Sequence, residues 1–302
     1  MNAYLYDLLG SRVRNLLCCK RVISAAAFLC LVLGGFSATQ AVVTPFPSSL
    51  GQYAVLSNGS FGANGIKVYD GNVGVQSLSG ANGGVINGNV DYTSYVHSSV
   101  KINGTESQSF TLGTTMSDAI NFSTSLRTTA YTQLITNSNL PIPTIVGNGS
   151  ENIINIKADV HSQKITLSGG ANDIFYINVF NTLDLTGVIL NGVAEDHVLW
   201  NIMGGNANLS GNLTGTFLAV SNGQAAQLSV TGGSTTVKGA LIGGSMNLSS
   251  TTINGVSFSA AAATTMAPEA SSMAAMGAFG CFLLLSSSKK FLKGKFGKIV
   301  TA

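Results

Sequence analysis

The densest polar cluster in this chain of 302 residues is Glu195-Asp196-His197. A carboxylate beside an imidazole is a pairing that can serve as a general base or contribute metal ligands. Adjacent residues on a strand point to opposite sides, so three in a row cannot converge on one ion unless the backbone turns. The cluster follows Asn191-Gly192, which predicts a solvated loop. A working site also needs further convergent groups, and His97 and His161 stand alone, at no metal-binding spacing. The grooves of β-helix polysaccharide lyases and hydrolases demand clustered Asp, Lys and Arg, yet residues 42–267 hold only six basic residues. No catalytic residue, metal ligand or cofactor is expected. Thr235-Thr236 and Thr251-Thr252 could line a flat face that orders water as ice does, although the strand propensity of Thr explains the same residues. Trp200 reads as core. Triplets such as Asn103-Gly104-Thr105 and Asn208-Leu209-Ser210 are expected by chance in a chain this rich in Asn.

The elements that would position these residues are short strands. Charged residues make up 9% of the chain, against roughly 25% in an average soluble domain, and there are 36 Gly and only 5 Pro. Asn-Gly occurs at 58, 64, 82, 87, 103, 148, 191, 222 and 254, and both residues tolerate the positive φ of tight turns. Between these turns lie runs such as Ile153-Ile154-Asn155-Ile156, Ile174-Phe175-Tyr176-Ile177-Asn178-Val179 and Val198-Leu199-Trp200-Asn201-Ile202, all strand signals. Asn208-Leu209-Ser210, Gln227-Leu228-Ser229 and Asn247-Leu248-Ser249 recur at spacings of 19 and 20 residues. A period near 20 built from strands and turns predicts a β-solenoid, whose coils bury their apolar side chains by stacking. A β-sandwich with coincidental spacing is the alternative. One segment departs from this pattern: residues 117–135 place Ile120, Ser123, Leu126 and Ala130 on one helical face, continued by Leu134. Ser117 or Thr115 would cap that helix, Asp118 suits its first turn, and Pro141 and Pro143 stop the chain beyond it. The helix is expected to lie along the solenoid and cover one apolar flank.

The two ends have a different character. Nine of the fifteen Lys and Arg residues fall there, and residues 42–267 carry six basic against ten acidic residues, which argues against nucleic acid as a partner. Arg12, Arg14, Lys20 and Arg21 precede an apolar run over 22–36 and small residues up to Ala41. This reads as a signal peptide, 1–41, cut after Ala41. An uncleaved anchor is the alternative. Residues 266–302 mirror the pattern, with an apolar run at 273–285 and a basic end at 289–298 whose Lys289, Lys290, Lys293 and Lys295 form a positive membrane stop. A buried terminal helix is the structural alternative. All four cysteines lie in these two segments, so no disulfide staples the domain over 42–265.

The strand run 175–179, then 198–202, then Gly215-Thr216-Phe217-Leu218-Ala219 and Val237-Lys238-Gly239-Ala240-Leu241-Ile242-Gly243-Gly244, taken in order after a helix, resembles the choice-of-anchor A family of bacterial surface proteins. The tail resembles a PEP-CTERM sorting signal, with Pro268-Glu269-Ala270 where Pro-Glu-Pro is usual. The same strands also resemble those of the ice-binding β-solenoids. The resemblance implies an all-β, right-handed β-helix with one flanking α-helix. It also implies passage through the secretion translocon and signal peptidase, and handling by an exosortase-type sorting enzyme. A secreted or cell-surface location would follow, with at least transient inner-membrane anchoring through the C-terminal segment. The function expected is adhesive or structural, against a surface polysaccharide or matrix. The alternative is an ice-binding or carbohydrate-binding solenoid, and a polysaccharide-degrading enzyme is the third reading.

Overall fold

The computed structural model describes residues 43–79, 83–97, 99–137 and 141–259. They fall in one compact unit, Ala41–Ala263. Almost every strand pairing in it is parallel, and the pairings form three separate columns, so successive strands wind as coils with three faces. The chain is a β-solenoid.

The first column runs through Gln133–Ile135, Glu151–Ile156, Ile174–Val179, Val198–Ile202, Thr216–Ser221 and Leu241–Gly243. It then passes to the N-terminal part of the chain, because Val55 of strand Tyr53–Asn64 pairs with Leu241. From there it continues through Asn72–Ser79, Val90–His97 and Glu106–Gln108. The stack therefore consists of two pieces of chain joined at a seam. The N-terminal piece grows away from the seam in one direction, and the C-terminal piece approaches it from the other. The sequence repeat did not reveal this order, since strands that touch at the seam lie nearly two hundred residues apart.

The central strands of the first column, from Glu151–Ile156 through Leu241–Gly243, are buried on both sides, whereas Glu106–Gln108 at one end of the column is exposed. Their inner side chains, Phe175, Ile177, Trp200, Phe217 and Leu241, join the solenoid interior. Their outer ones, Ile153, Tyr176, Leu199, Leu218 and Ile242, pack against a helix. That accounts for the unbroken apolar runs at 174–177 and 198–200, which a strand with one wet side would not carry. The other two columns alternate buried and exposed positions, as in Ala207, Asn208 and Leu209. Trp200 is fully buried, stacks on Phe217 with ring centroids 5.8 Å apart, and donates its indole N–H to the Thr214 carbonyl at 3.2 Å.

The helix spans Leu112–Thr128, five residues earlier at its start and seven shorter at its end than the 117–135 expectation. Leu112, Met116, Ala119, Phe122, Ser123 and Leu126 form its buried stripe, which follows the 3.6-residue period back to Leu112. Gly113, Thr114 and Thr115 have weak helix propensity, but packing of Leu112 and Met116 outweighs it. Thr111 occupies the N-cap without a side-chain hydrogen bond, in place of Ser117 or Thr115. Leu134 lies on the strand Gln133–Ile135, and Ala130 lies beyond the helix. The helix does cover one apolar flank of the solenoid, as expected.

Two polar devices hold these parts in place. Asn155, Asn178 and Asn201 stack in register beneath the helix. Asn178 Nδ2 donates to Asn155 Oδ1 at 2.9 Å and Asn201 Nδ2 to Asn178 Oδ1 at 2.8 Å. The same amides reach the helix backbone at Leu126 O and Ser123 O, and Ser123 Oγ donates to Asn201 Oδ1 at 2.6 Å. At the coil corners, glycines permit close stacking. A Cβ on Gly88 would lie 2.0 Å from the Gly71 carbonyl oxygen, and one on Gly104 would lie 2.4 Å from that of Gly88. Several Asn-Gly pairs are therefore corners of coils and not hairpins. Asn222-Gly223, with φ of 50° and 73°, turns the one antiparallel hairpin among the described strands.

Candidate functional site

With one face of the solenoid under the helix, two faces remain open, and they differ in chemistry. On the first, the outward residues form columns along the stack. Asp184, Asn208, Ser229, Asn247 and Gly62 follow one another in continuous register, and the backbone of Gly62 pairs onward with that of Ser79. Beside them run Asn206 with Gln227, Ser60 with Ser77, and Ser249 with Asn64. Their inward neighbours, Leu209, Leu228, Met246, Phe61 and Leu78, are buried. Neighbouring rungs lie about 4.8 Å apart and alternate residues along a strand about 6.7 Å. The result is a grid of hydroxyl and amide groups, interrupted where Gly62 carries no side chain. No lysine or arginine stands in these columns, and the single carboxylate, Asp184, sits near one end, where it accepts from Ser162 Oγ at 2.9 Å.

The column on the second open face runs Lys164, Gly187, Asn212, Thr236, Thr252, Lys67, Val85, Lys101. Thr235 and Thr251 pair with each other but point inward and are buried. Each threonine pair therefore presents one hydroxyl to solvent, and it does so between lysines.

The polar cluster Glu195-Asp196-His197 forms a turn of 3-10 helix and not the open loop expected, because the His197 N–H closes on the Ala194 carbonyl at 3.1 Å. Its members diverge. Glu195 pairs with Lys238 at 2.7 Å, both half exposed, while the Asp196 carbonyl accepts from the Ser259 N–H and His197 Nδ1 is buried without a partner. His161 is exposed on the strand Val160–Ser168, and the His97 backbone pairs with Ser79 at the other end of the stack. Among the described residues no three His, Cys, Asp or Glu side chains come together as a metal-binding group. A shallow depression between the helix and residues 44–49 holds one carboxylate, Asp118, which already accepts from Ser49 Oγ at 2.8 Å.

Among the described residues Asp173 is the one buried carboxylate. Burial alone would raise its pKa, but it accepts N–H groups from Gly170 at 2.7 Å, Asn152 at 3.0 Å and Gly149 at 2.7 Å. These donors outweigh the burial and hold it below the ordinary carboxylate range. They use its lone pairs to tie two stacked corners together, a structural task.

Solved structures of similar shape give the arrangement its context. An ice-binding protein from an Antarctic biological consortium superposes with a TM-score of 0.52 at 18% identity, over 70% of this chain and 92% of its own. An ice-binding protein from an Arctic yeast gives 0.50 at 12% identity, over 73% and 96%. This chain has their fold. No protein-family model and no curated protein matches the sequence.

The two residue sets that differentiate the open faces were visible in the sequence only as alternation. Asn206-Ala207-Asn208-Leu209 and Gln227-Leu228-Ser229-Val230 place polar groups at every second position, which marks one wet side. Their mutual register was misaligned, because Asn208 pairs with Ser229 and Ser229 with Asn247, true spacings of 21 and 18 residues. A slip of two leaves each side chain on its own face, so the pattern alone cannot detect it. Ala41, Pro268, Glu269, Ala270, Lys289, Lys290, Lys293 and Lys295, proposed as processing, sorting and membrane-stop residues, lie outside the described residues. Among the described residues no helix is long and apolar enough to cross a membrane.

Proposed function

We propose that this chain is a non-catalytic, exported β-solenoid that binds ice through its serine- and asparagine-lined face. The observation that carries the reading is the column Asn208-Ser229-Asn247-Gly62, in unbroken register and free of charged side chains, with Asp184 only at its end. A rigid plane of short side chains can hold water in a fixed pattern, whereas a charge there would have to shed its hydration at the ice surface. The fold shared with ice-binding proteins supports the same reading. The helix-covered face is closed to any such plane, and the lysine face is charged.

Ice recrystallisation in the presence of the purified chain tests this. Inhibition is expected with the parent protein, and a loss of roughly tenfold or more in Ser229→Tyr/Asn247→Lys, which breaks flatness and adds charge in mid-face. The melting temperature should stay within a few degrees, since both positions are outward-facing. Full activity in that variant would remove the face from the reading, and an inactive parent protein would remove ice.

Export and sorting belong to the same proposal. The basic and apolar start up to Ala41 and the tail with Pro268, Glu269 and Ala270 before a basic end support passage through the translocon and a C-terminal sorting step. They also support kinship with choice-of-anchor A surface proteins, in which adhesion to a matrix is the alternative role. Mass spectrometry of the mature protein recovered from cells would give ends at Val42 and near Glu269 if both steps occur.

A further inference from the structure

The lysine face has a use of its own. Residues 42–267 contain six basic residues, and four of them, Lys67, Lys101, Lys164 and Lys238, lie on this one face. Arg127 is on the helix, and Lys157 lies over the Phe180 ring at 5.7 Å. Among the described residues only Lys238 has a carboxylate within salt-bridge distance. The ammonium groups of Lys67, Lys101 and Lys164 are exposed and share a single column. Lys67 and Lys101 stand two rungs apart, about 10 Å, and Lys164 and Lys67 five rungs apart, about 24 Å. Outward apolar groups lie among them: Tyr69 is 44% exposed, Ile189 is 42% exposed, and Val85 is half-buried between two of the lysines.

We infer that this face docks a linear acidic polysaccharide along the axis of the solenoid. Three observations choose that occupant. The cations are spread along a line, which suits a polymer with widely spaced charges and does not suit a compact anion. Exposed apolar side chains stand between them, and these match the C–H faces of pyranose rings as the ammonium groups match uronate carboxylates. The domain as a whole is acidic, with six basic against ten acidic residues, so the dense basic footprint of a nucleic-acid binder is missing. The inference does not depend on ice binding, which concerns the other open face.

Electrophoresis of the purified chain through gels containing polygalacturonate, with neutral dextran and duplex DNA gels beside them, tests the docking. Polygalacturonate should retard the protein at low salt, and high salt should release it, since exposed charge pairs are screened. Dextran should leave its mobility unchanged, and DNA should retard it less than polygalacturonate. Lys67→Gln/Lys101→Gln/Lys164→Gln should weaken binding roughly tenfold. Arg127→Gln/Lys157→Gln removes two charges elsewhere and should not weaken it. Tyr69→Ser should weaken binding without any change of charge, an effect that bulk electrostatics would not produce. Melting temperatures confirm folding, and the single variants Lys67→Gln and Lys101→Gln serve if the triple variant does not fold. Ice recrystallisation by the same lysine variants should match the parent, which keeps the two proposals separable. Unchanged binding by the lysine variants, an equal loss in the Arg127/Lys157 variant, or stronger retardation by DNA would each overturn the inference.

Discussion

Individual side chains in this solenoid reveal their roles through the partners they satisfy. Asp173 carries its charge in a buried corner with no cation beside it, stabilised by N–H donors alone. Its pKa lies below the unfolded value of about 3.9. Such a group contributes stability above its unfolded pKa, and the contribution is lost as pH falls through the folded one. Urea midpoints of the parent should therefore drop below about pH 4 more steeply than those of Asp173→Asn. At neutral pH the variant should be less stable by roughly 1–3 kcal/mol, because the new amide cannot accept from all three donors. Parallel acid profiles of the two proteins would assign the corner's stability to something other than this charge. His197 is the contrasting case. It belongs to the one polar cluster that suggested chemistry, and its neighbours turn away from it.

At the level of elements, the helix is held by more than its apolar stripe. The amide ladder of Asn155, Asn178 and Asn201 lies in the strands but bonds to helix carbonyls, so it fixes the position of the helix as well as the register of three coils. Asn178→Leu would leave Asn155 Oδ1 and the Leu126 carbonyl without those donors in a buried place. A cost of about 2–4 kcal/mol is expected, read as a lowered urea midpoint. A change below half a kcal/mol would show that water or rearrangement replaces the ladder. The aspects of this region that were legible in sequence were the strands themselves and the presence of a helix. The amide partners were not legible, because Asn155, Asn178 and Asn201 are 23 residues apart and stacking alone brings them together. The start of the helix was missed for a similar reason: Leu112 and Met116 have apolar partners such as Leu56 and Tyr53 only once the N-terminal coils are in place.

The whole molecule is organised around its seam. Val55 pairs with Leu241, Phe61 with Met246 and Val68 with Ile253, so the N-terminal coil rests on the C-terminal one through all three faces. Both ends of the described domain also meet on the helix side, where Phe46 lies 5.3 Å from Phe258 and from Phe122 between ring centroids. Joining residue 259 to residue 43 by a short Gly-Ser linker, and opening the chain between Ala130 and Tyr131, should therefore preserve the fold. The permuted chain would build the stack without a sequence jump at the seam, with the helix at its C-terminus. Its circular dichroism should match the parent and its melting temperature should fall by no more than several degrees. An unfolded permutant would show that the helix must bridge the two pieces covalently. This arrangement also leaves two open faces of different chemistry on one rigid body, the basis for assigning them separate ligands.

The sequence alone determined the building material. Low charge, abundant Gly and Asn, alternating runs and the absence of cysteine from residues 42–267 require many short strands closing an apolar interior without covalent staples. The presence of a helix and the burial of Trp200 followed from local periodicity and the apolar run around it. Tertiary structure alone decided the order of the coils, their register and the contents of each face. Period-two patterns are unchanged by a slip of two residues, and contacts across a seam leave no local trace. The face on which Ser229 or Lys67 stands is therefore set by which coil stacks on which, a choice made by the packed interior as a whole.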